Sequence, residues 1–405
     1  MPELVIERLG AQGDGIAPGP VFVPRALPGE VVTGDVVDGR MTDPRILSPS
    51  DARIKAPCSH YKACGGCAVQ HASDPFVADW KQSLVRTALA QAGVAAEVSG
   101  PLTSPVASRR RVALSARRTK SGAIAGFHGR KSDVIVDISG CAILDQRLRA
   151  APDIARHLAR VGASRSAEIT VVATASDDGL DIAVTGGKPL SPAQQADLGL
   201  YCAEAGIARL SWGGECIALL RPPRQRFGTA FVTPPAGAFL QATEAGQAQL
   251  VEAVLSGCAG ARSVVDLFAG CGTFSLPLAA QAKVHAVEGD AAMTDALLAG
   301  WRGRPGLRPL TAAARDLFRR PLLPDELDRF DAAVIDPPRA GAAAQVAQIA
   351  ASHLARVMYV SCNPATFARD AAVLIAAGFA IGPVRPVDQF RYSPHVELVA
   401  AFTRA

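Results

Sequence analysis

No stretch of this 405-residue sequence is apolar and uncharged for long enough to span a bilayer. The opening residues, MPELVIERLG, lack the basic start and apolar core of a secretory signal. These two absences give the expectation of a cytoplasmic protein with no membrane partner. Long internal repeats and low-complexity tails are also missing, which excludes a solenoid. Disorder is excluded too, because 49% of residues are hydrophobic and 20% charged, the balance of a globular chain. Nine cysteines in a chain expected to be cytoplasmic do not read as a disulfide framework. What the length allows is two or three domains, expected to act as a monomer.

The net charge of +5 is modest but clustered. Arg109, Arg110 and Arg111 are followed by Arg117, Arg118 and Lys120, then by Arg130 and Lys131; Arg221, Arg224 and Arg226 form a second group. Such clusters suit a polyanion such as nucleic acid, although a solvated surface gives the same pattern.

Three textures follow one another. Residues 1–50 are short Val-rich stretches cut by Gly and Pro, as in a small β-barrel. Residues 51–235 contain a cysteine cluster, an amphipathic helix near 76–92 with Trp80, Leu84, Val85 and Leu89 on its apolar side, and a second set of short strands. The segment RPPRQRFGTAFVTPPAGAF reads as a boundary. From 236 to 405, apolar runs such as SVVDLFAG, KVHAVEGD, FDAAVIDPP and RVMYVSCNP alternate with Ala- and Leu-rich helical stretches. This alternation implies an α/β domain, a mostly parallel, doubly wound sheet.

Ligands of such sheets bind outside the carboxyl ends of the strands. Asp266, Gly270, Glu288, Asp316, Asp336 and Cys362 all fall at or just beyond expected strand ends. Gly270-Cys271-Gly272 lets the backbone turn tightly and approach a ligand. The third glycine of a dinucleotide fingerprint is absent, since Thr273-Phe274-Ser275 follows; this disfavours NAD and favours S-adenosyl-L-methionine. Glu288, ending AVEGD, can accept both hydroxyls of a ribose. A structural glycine turn is the competing reading.

Cys362 sits at the exit of VMYVS, not within it. A thiolate there suits reversible covalent addition. Addition to C6 of a uracil makes C5 nucleophilic toward a sulfonium methyl, and a base must then remove the C5 proton. Glu397, among the apolar residues of HVELVAAF, is a candidate base, since an apolar setting raises a carboxyl pKa. It also fits the polar face of a final strand. Arg391 and His395 stand ready to touch RNA phosphate or to orient Glu397. Asp336, before Pro337-Pro338-Arg339, aims its carboxylate across the sheet edge or simply ends the strand.

Cys58, Cys64 and Cys67, with the remote Cys141, offer four thiolates for zinc or an iron–sulfur cluster, and softness does not separate the two. His60 and His71 read as surface residues, and Cys202, Cys216 and Cys258 as ordinary buried cysteines.

Taken together, these motifs resemble the bacterial RNA uracil-5-methyltransferase family over almost the whole chain, in particular the iron–sulfur branch acting on 23S rRNA. The resemblance implies a Rossmann-like methyltransferase domain behind a TRAM-like RNA-binding barrel at 1–50 and a central β-rich iron–sulfur domain, with the helix near 76–92 packed on the catalytic domain. It places Cys58, Cys64, Cys67 and Cys141 on [4Fe–4S] ligands. Gln241, in FLQ, falls on the cofactor-binding glutamine, and Phe268, Gly270 and Thr273 on the adenosylmethionine loop. Glu288 matches the ribose acid, Asp316 a residue near the adenine, and Asp336 the aspartate of DPxR. Cys362 falls on the nucleophile and Glu397 on the general base. Thr273 stands where Asn is usual, and so does the region around Thr243. Transfer RNA is the alternative substrate, and a non-catalytic RNA-binding or redox-sensing protein is a distant one.

Overall fold

The computed structural model describes residues 2–404. Residues 3–48 form a curled six-stranded sheet, closed over a small core of Ile6, Val23, Val32 and Met41. Residues 50–73 hold no long element, and the helix Asp74–Gln91 follows.

A seven-stranded sheet spans Arg111 to Leu219, with the helices Ala151–Gly162 and Pro192–Glu204. It is not purely antiparallel. Gly179–Thr185 and Ile207–Trp212 run parallel because the helix Pro192–Glu204 carries the chain back across the sheet. A hairpin of Gln225–Phe227 and Ala230–Val232 comes next. Its Phe227, Ala230 and Val232 are buried with Val264 and Val334 of the third sheet, so part of the Pro- and Gly-rich segment read as a boundary packs against that sheet.

The third sheet has nine strands. Its parallel part runs, in spatial order, Leu310–Ala314, Lys283–Glu288, Ser263–Leu267, Ala332–Ile335 and Arg356–Ser361. Glu397–Thr403 joins antiparallel to the last of these, and Arg385–Asp388 and Leu102–Thr103 complete the edge. Period-2 alternation decides its packing. Val357 and Tyr359 bury on one face; Met358 and Val360 bury on the other. The helix Asp74–Gln91 belongs to the first of these cores, through Val85 and Leu89, with Val94 and Val98 just beyond it. No helix among the described residues is long and apolar enough to cross a membrane.

Candidate active site

Five parallel strands end at one edge of this sheet, and each delivers a side chain there. After Leu267 the chain passes through Phe268 (φ 62°), Gly270 (φ 56°) and Gly272 (φ 102°). Glycine takes such angles freely, but for a bulky residue like Phe268 the left-handed region is uncommon and strained. Glu288 ends its strand and folds back on this loop: its carboxylate accepts hydrogen bonds from the Gly270 amide (2.9 Å) and the Asp290 amide (3.1 Å). Asp316 accepts from the Phe318 amide (2.9 Å), which sets the Phe318 ring beside Phe268, centroids 5.4 Å apart.

Asp336 and Cys362 follow the next two strands. The sequence SCNP makes a compact exit. Asn363 caps the helix Pro364–Ala376 by accepting from the Ala365 amide (3.1 Å), and Pro364 occupies the first helical turn, where its missing N–H costs nothing. Asn363 also donates to the Arg339 carbonyl (3.0 Å), tying the DPPR turn to the cysteine turn. Glu397 begins the neighbouring antiparallel strand. Ser361 pairs with Leu398, so continuing the register by one residue sets Cys362 opposite Glu397. Antiparallel pairing thus brings the start of the last strand to the edge where the parallel strands finish.

One cavity of about 610 Å³ is lined by Gln241, Phe268, Gly270, Thr273, Glu288, Asp316, Asp336, Cys362 and Glu397, every residue expected for cofactor or catalysis. Asp266 is not among them. It is fully buried, takes the Ser275 hydroxyl at 2.5 Å, and supports the loop from beneath. Thr243 is also outside: it caps the helix Glu244–Gly257 and bonds Ser104 (2.7 Å).

The electrostatics are those of a dry acidic site. Burial pushes the Glu397 carboxyl up to about 7, against the Gln389 amide and Arg339, which pull it down. Asp336 is raised well above its ordinary value by burial first, then by Glu397 and Asp266. The Cys362 thiol is pushed up to about 11 by burial and then by Glu397 and Asp336, with Arg339 opposing. His395, held near 4 by burial and by Arg339, Lys81 and Arg109, is neutral and lies 2.6 Å (Nδ1) from the Arg339 guanidinium. Gln389 carried no sequence signal of its own. It is buried, donates to the Gln241 side chain, and Gln241 in turn donates to Asp336 (3.4 Å). Arg391 is turned away from the cavity, bonded to Asp74 and to the Ser104 carbonyl (3.1 Å).

Cys58, Cys64, Cys67 and Cys141 line a second cavity, of about 910 Å³. Burial drives the Cys67 thiol up to about 12, and Cys141, Cys64 and Cys58 each push the same way, so the four sulfurs share one neighbourhood. No three His, Cys, Asp or Glu side chains among the described residues are close enough to hold a single metal ion. A lone tetrahedral zinc would need its thiolates about 3.8 Å apart. His71 is buried, not on the surface, because its ring bonds Tyr61 (2.6 Å) inside the packing of the cysteine loop. Cys202 and Cys258 are buried; Cys216 is exposed on the edge strand Glu215–Leu219. Arg110, read with the basic clusters, is only 2% exposed: it faces inward and donates to the Gln241 carbonyl (3.1 Å) and to Gln247 (2.7 Å).

Residues 313–404 match the family model described as tRNA (Uracil-5-)-methyltransferase. A Caulobacter vibrioides protein named an uncharacterized RNA methyltransferase is 46% identical, over 100% of both chains. The 23S rRNA (uracil(1939)-C(5))-methyltransferase of Halomonas elongata is 34% identical, over 98% of this chain and 88% of that one. The chain belongs to the RNA uracil-5-methyltransferase family. Its fold is shared with the Pyrococcus abyssi tRNA (uracil-54, C5)-methyltransferase, solved with S-adenosyl-L-homocysteine: TM-score 0.77, 21% identity, 99% of each chain covered.

Proposed function

We propose that this enzyme methylates C5 of a uridine in 23S rRNA, with S-adenosyl-L-methionine as donor, Cys362 as nucleophile and Glu397 as base. The observation that carries the reading is one cavity lined by Cys362 and Glu397, next to the Ser361–Leu398 strand pair, together with Glu288 and Asp336. Adenosylmethionine would supply a methyl group on a sulfonium. The cavity suits it: Glu288 would accept the ribose hydroxyls, Phe268 and Phe318 would flank the adenine near Asp316, and Gln241, Thr273 and Asp336 remain for the polar end.

The Cys362 thiolate adds to C6 of the uracil, and the electron pair moves to C5 and O4 as an enolate. C5 would take the methyl group as the methyl–sulfonium bond breaks and its electron pair returns to sulfur. Glu397 then removes the C5 proton, the C5–C6 double bond re-forms, and the C6–S bond breaks to return the thiolate. A base pushed up to about 7 is suited to that proton. The thiol must first lose its own proton, and Arg339 together with the N-terminus of the helix Pro364–Ala376 favours the anion. The base must leave its stack to reach the cavity.

The second cavity supports the iron–sulfur reading. Its four thiols form a soft donor set in one cavity, and a multi-iron cluster would be held by Cys58, Cys64, Cys67 and Cys141. Arg109 and Lys131 line the same cavity, open to an RNA backbone; Arg40 and Arg130 do too, although Asp14 pairs with both. We read 1–50 as the RNA-binding barrel, 51–235 as the cluster domain and 236–405 as the catalytic domain, with the helix Asp74–Gln91, the strand Leu102–Thr103 and the hairpin 225–232 lent to the catalytic side. The Halomonas relative favours 23S rRNA; the family model's name keeps tRNA as the second reading.

The deciding experiment incubates the protein with 5-fluorouridine-substituted 23S or transfer RNA and adenosylmethionine. Fluorine cannot leave C5 as a proton, so a covalent complex should persist on a denaturing gel with 23S RNA and vanish in Cys362→Ala. A complex with transfer RNA alone would reassign the substrate; none with either would remove the mechanism.

A further inference from the structure

Lys81 is the one lysine buried completely among the described residues, and it comes from outside the catalytic sheet, on the helix Asp74–Gln91. Its ammonium has three donors and finds three acceptors: the Asp388 carboxylate (2.5 Å), the Phe390 carbonyl (3.1 Å) and the His395 carbonyl (3.0 Å). The two carbonyls bracket the turn that joins Arg385–Asp388 to Glu397–Thr403. The turn is not relaxed, since Tyr392 has φ 65°. Asp388 adds a further hold by accepting from the Phe390 amide (3.1 Å).

This turn supplies the wall of the cavity on the base side. Phe390 and His395 line it, Gln389 contacts Gln241, and Glu397 follows directly. None of the cofactor-loop residues, Phe268 to Thr273, touches Lys81's partners through a hydrogen bond. A buried ion pair is a costly way to fasten a loop, and well-packed apolar residues often serve stability equally well. What apolar residues do not supply is three directed donors that fix both ends of a turn.

We propose that Lys81 is a positioning residue for the second half of the reaction: by stapling the turn 388–395 it sets Glu397 against the C5 proton, and it acts on that step more than on cofactor binding or thiolate addition. The inference rests on the uracil C5 mechanism proposed above. Lys81→Met would strand Asp388 unpaired, so the main test is the double variant Lys81→Met/Asp388→Asn, which removes both charges together and keeps the volume. A graded variant, Lys81→Gln, keeps part of the donor set if the double one does not fold.

Single turnover on ordinary uridine RNA separates the two halves. Adduct formation and adenosylmethionine affinity should fall no more than about threefold, far less than adduct decay. Decay of the methylated adduct should slow about 10- to 100-fold, the range for misplacing a reacting group by about 1 Å. The methylated protein–RNA complex should therefore accumulate without fluorine. Parental decay in a folded variant would overturn the inference, and so would formation and decay falling in equal proportion. The parental protein on 5-fluorouridine RNA is the control that separates the two proposals. If it forms no Cys362 adduct, the mechanism fails and this inference with it; if it does and the variants resolve normally, only the role of Lys81 fails.

Discussion

The two cavities of this molecule are built in opposite ways, although Phe390 and His395 stand in the walls of both. The catalytic cavity is assembled from strand ends. Phe268, Glu288, Asp336 and Cys362 each follow a buried strand, so the sheet fixes their spacing before any ligand arrives. The cysteine cavity is assembled from turns. Cys58, Cys64, Cys67 and Cys141 lie outside every helix and strand, and few backbone bonds to regular structure hold them. A site on rigid elements is set for chemistry; a site on loops depends on what fills it.

The sharpest break in that comparison is at Cys362. Cys362→Ala should lower turnover by at least about 10⁴-fold, as loss of a covalent nucleophile does, while adenosylmethionine binding and the melting temperature stay near parental. Calorimetry and single-turnover assays check this. A variant that also lost cofactor binding would mean that the strand ends are not independently rigid.

Glu397→Gln comes next. Removing a general base costs about 10²- to 10⁴-fold, and here the loss should fall after methyl transfer, leaving a methylated adduct on the gel. The pH dependence has a definite sign. Glu397 titrates near 7, so below that pH it is protonated and cannot take the C5 proton; turnover should rise as pH rises through about 7. Stability should run the other way. The folded state binds the Glu397 proton more tightly than the unfolded chain, so the folded state is favoured at low pH and loses that advantage between about 4.3 and about 7. Asp336 is shifted in the same direction. Melting curves against pH should therefore flatten in Glu397→Gln; an unchanged slope would mean that the carboxyl is not buried as described.

The cysteine cavity should respond in the reverse order, stability first and chemistry second. Cys67→Ser should remove bound iron and acid-labile sulfide and lower the melting temperature. Adduct formation should persist in whatever fraction stays folded. Because Ala68 and Val69 donate to the Tyr392 carbonyl (2.7 and 3.1 Å), the loosened loop should also mobilise the turn before Glu397, which hydrogen exchange would read. Full stability without iron would make the cavity a closed packing feature.

The same contrast decides what was legible in the sequence. The residues that meet in the strand-end cavity could be found because an apolar run followed by Asp, Gly or Cys states both the strand and its end. The cysteines could be found by type and spacing, but not what they bind. The misses lie where tertiary partners override a local pattern. Arg110 sits in a run of three arginines that reads as surface, yet it turns inward to hold the carbonyl of Gln241. Lys81 was hidden inside a helix reading that attended only to apolar residues. It occupies the stripe Val77, Lys81, Val85, Leu89, and a lysine on a buried helical stripe was the available signal. Gln389 had none, since its partners Gln241 and Glu397 meet only through the sheet.

Thr273 offers the smallest effect and the finest test. It lines the strand-end cavity at the glycine turn, where the resemblance drawn from the sequence leads to the expectation of Asn. A threonine hydroxyl supplies one donor, whereas an asparagine amide supplies two donors and a carbonyl on a longer arm. One added net hydrogen bond is worth about 1 kcal/mol, or about fivefold in affinity. Thr273→Asn should therefore tighten adenosylmethionine about fivefold, measured by calorimetry, with adduct formation unchanged at saturating cofactor. The strand-end scaffold makes this prediction strict. With Gly270 and Gly272 fixing the backbone and the Glu288 carboxylate bonded to the Gly270 amide, a new side chain has little freedom to relax the loop, and the gain must come from its own reach. Unchanged affinity would mean that the side chain at 273 points past the ligand. Weaker affinity would mean that the turn is too tightly packed for the longer residue.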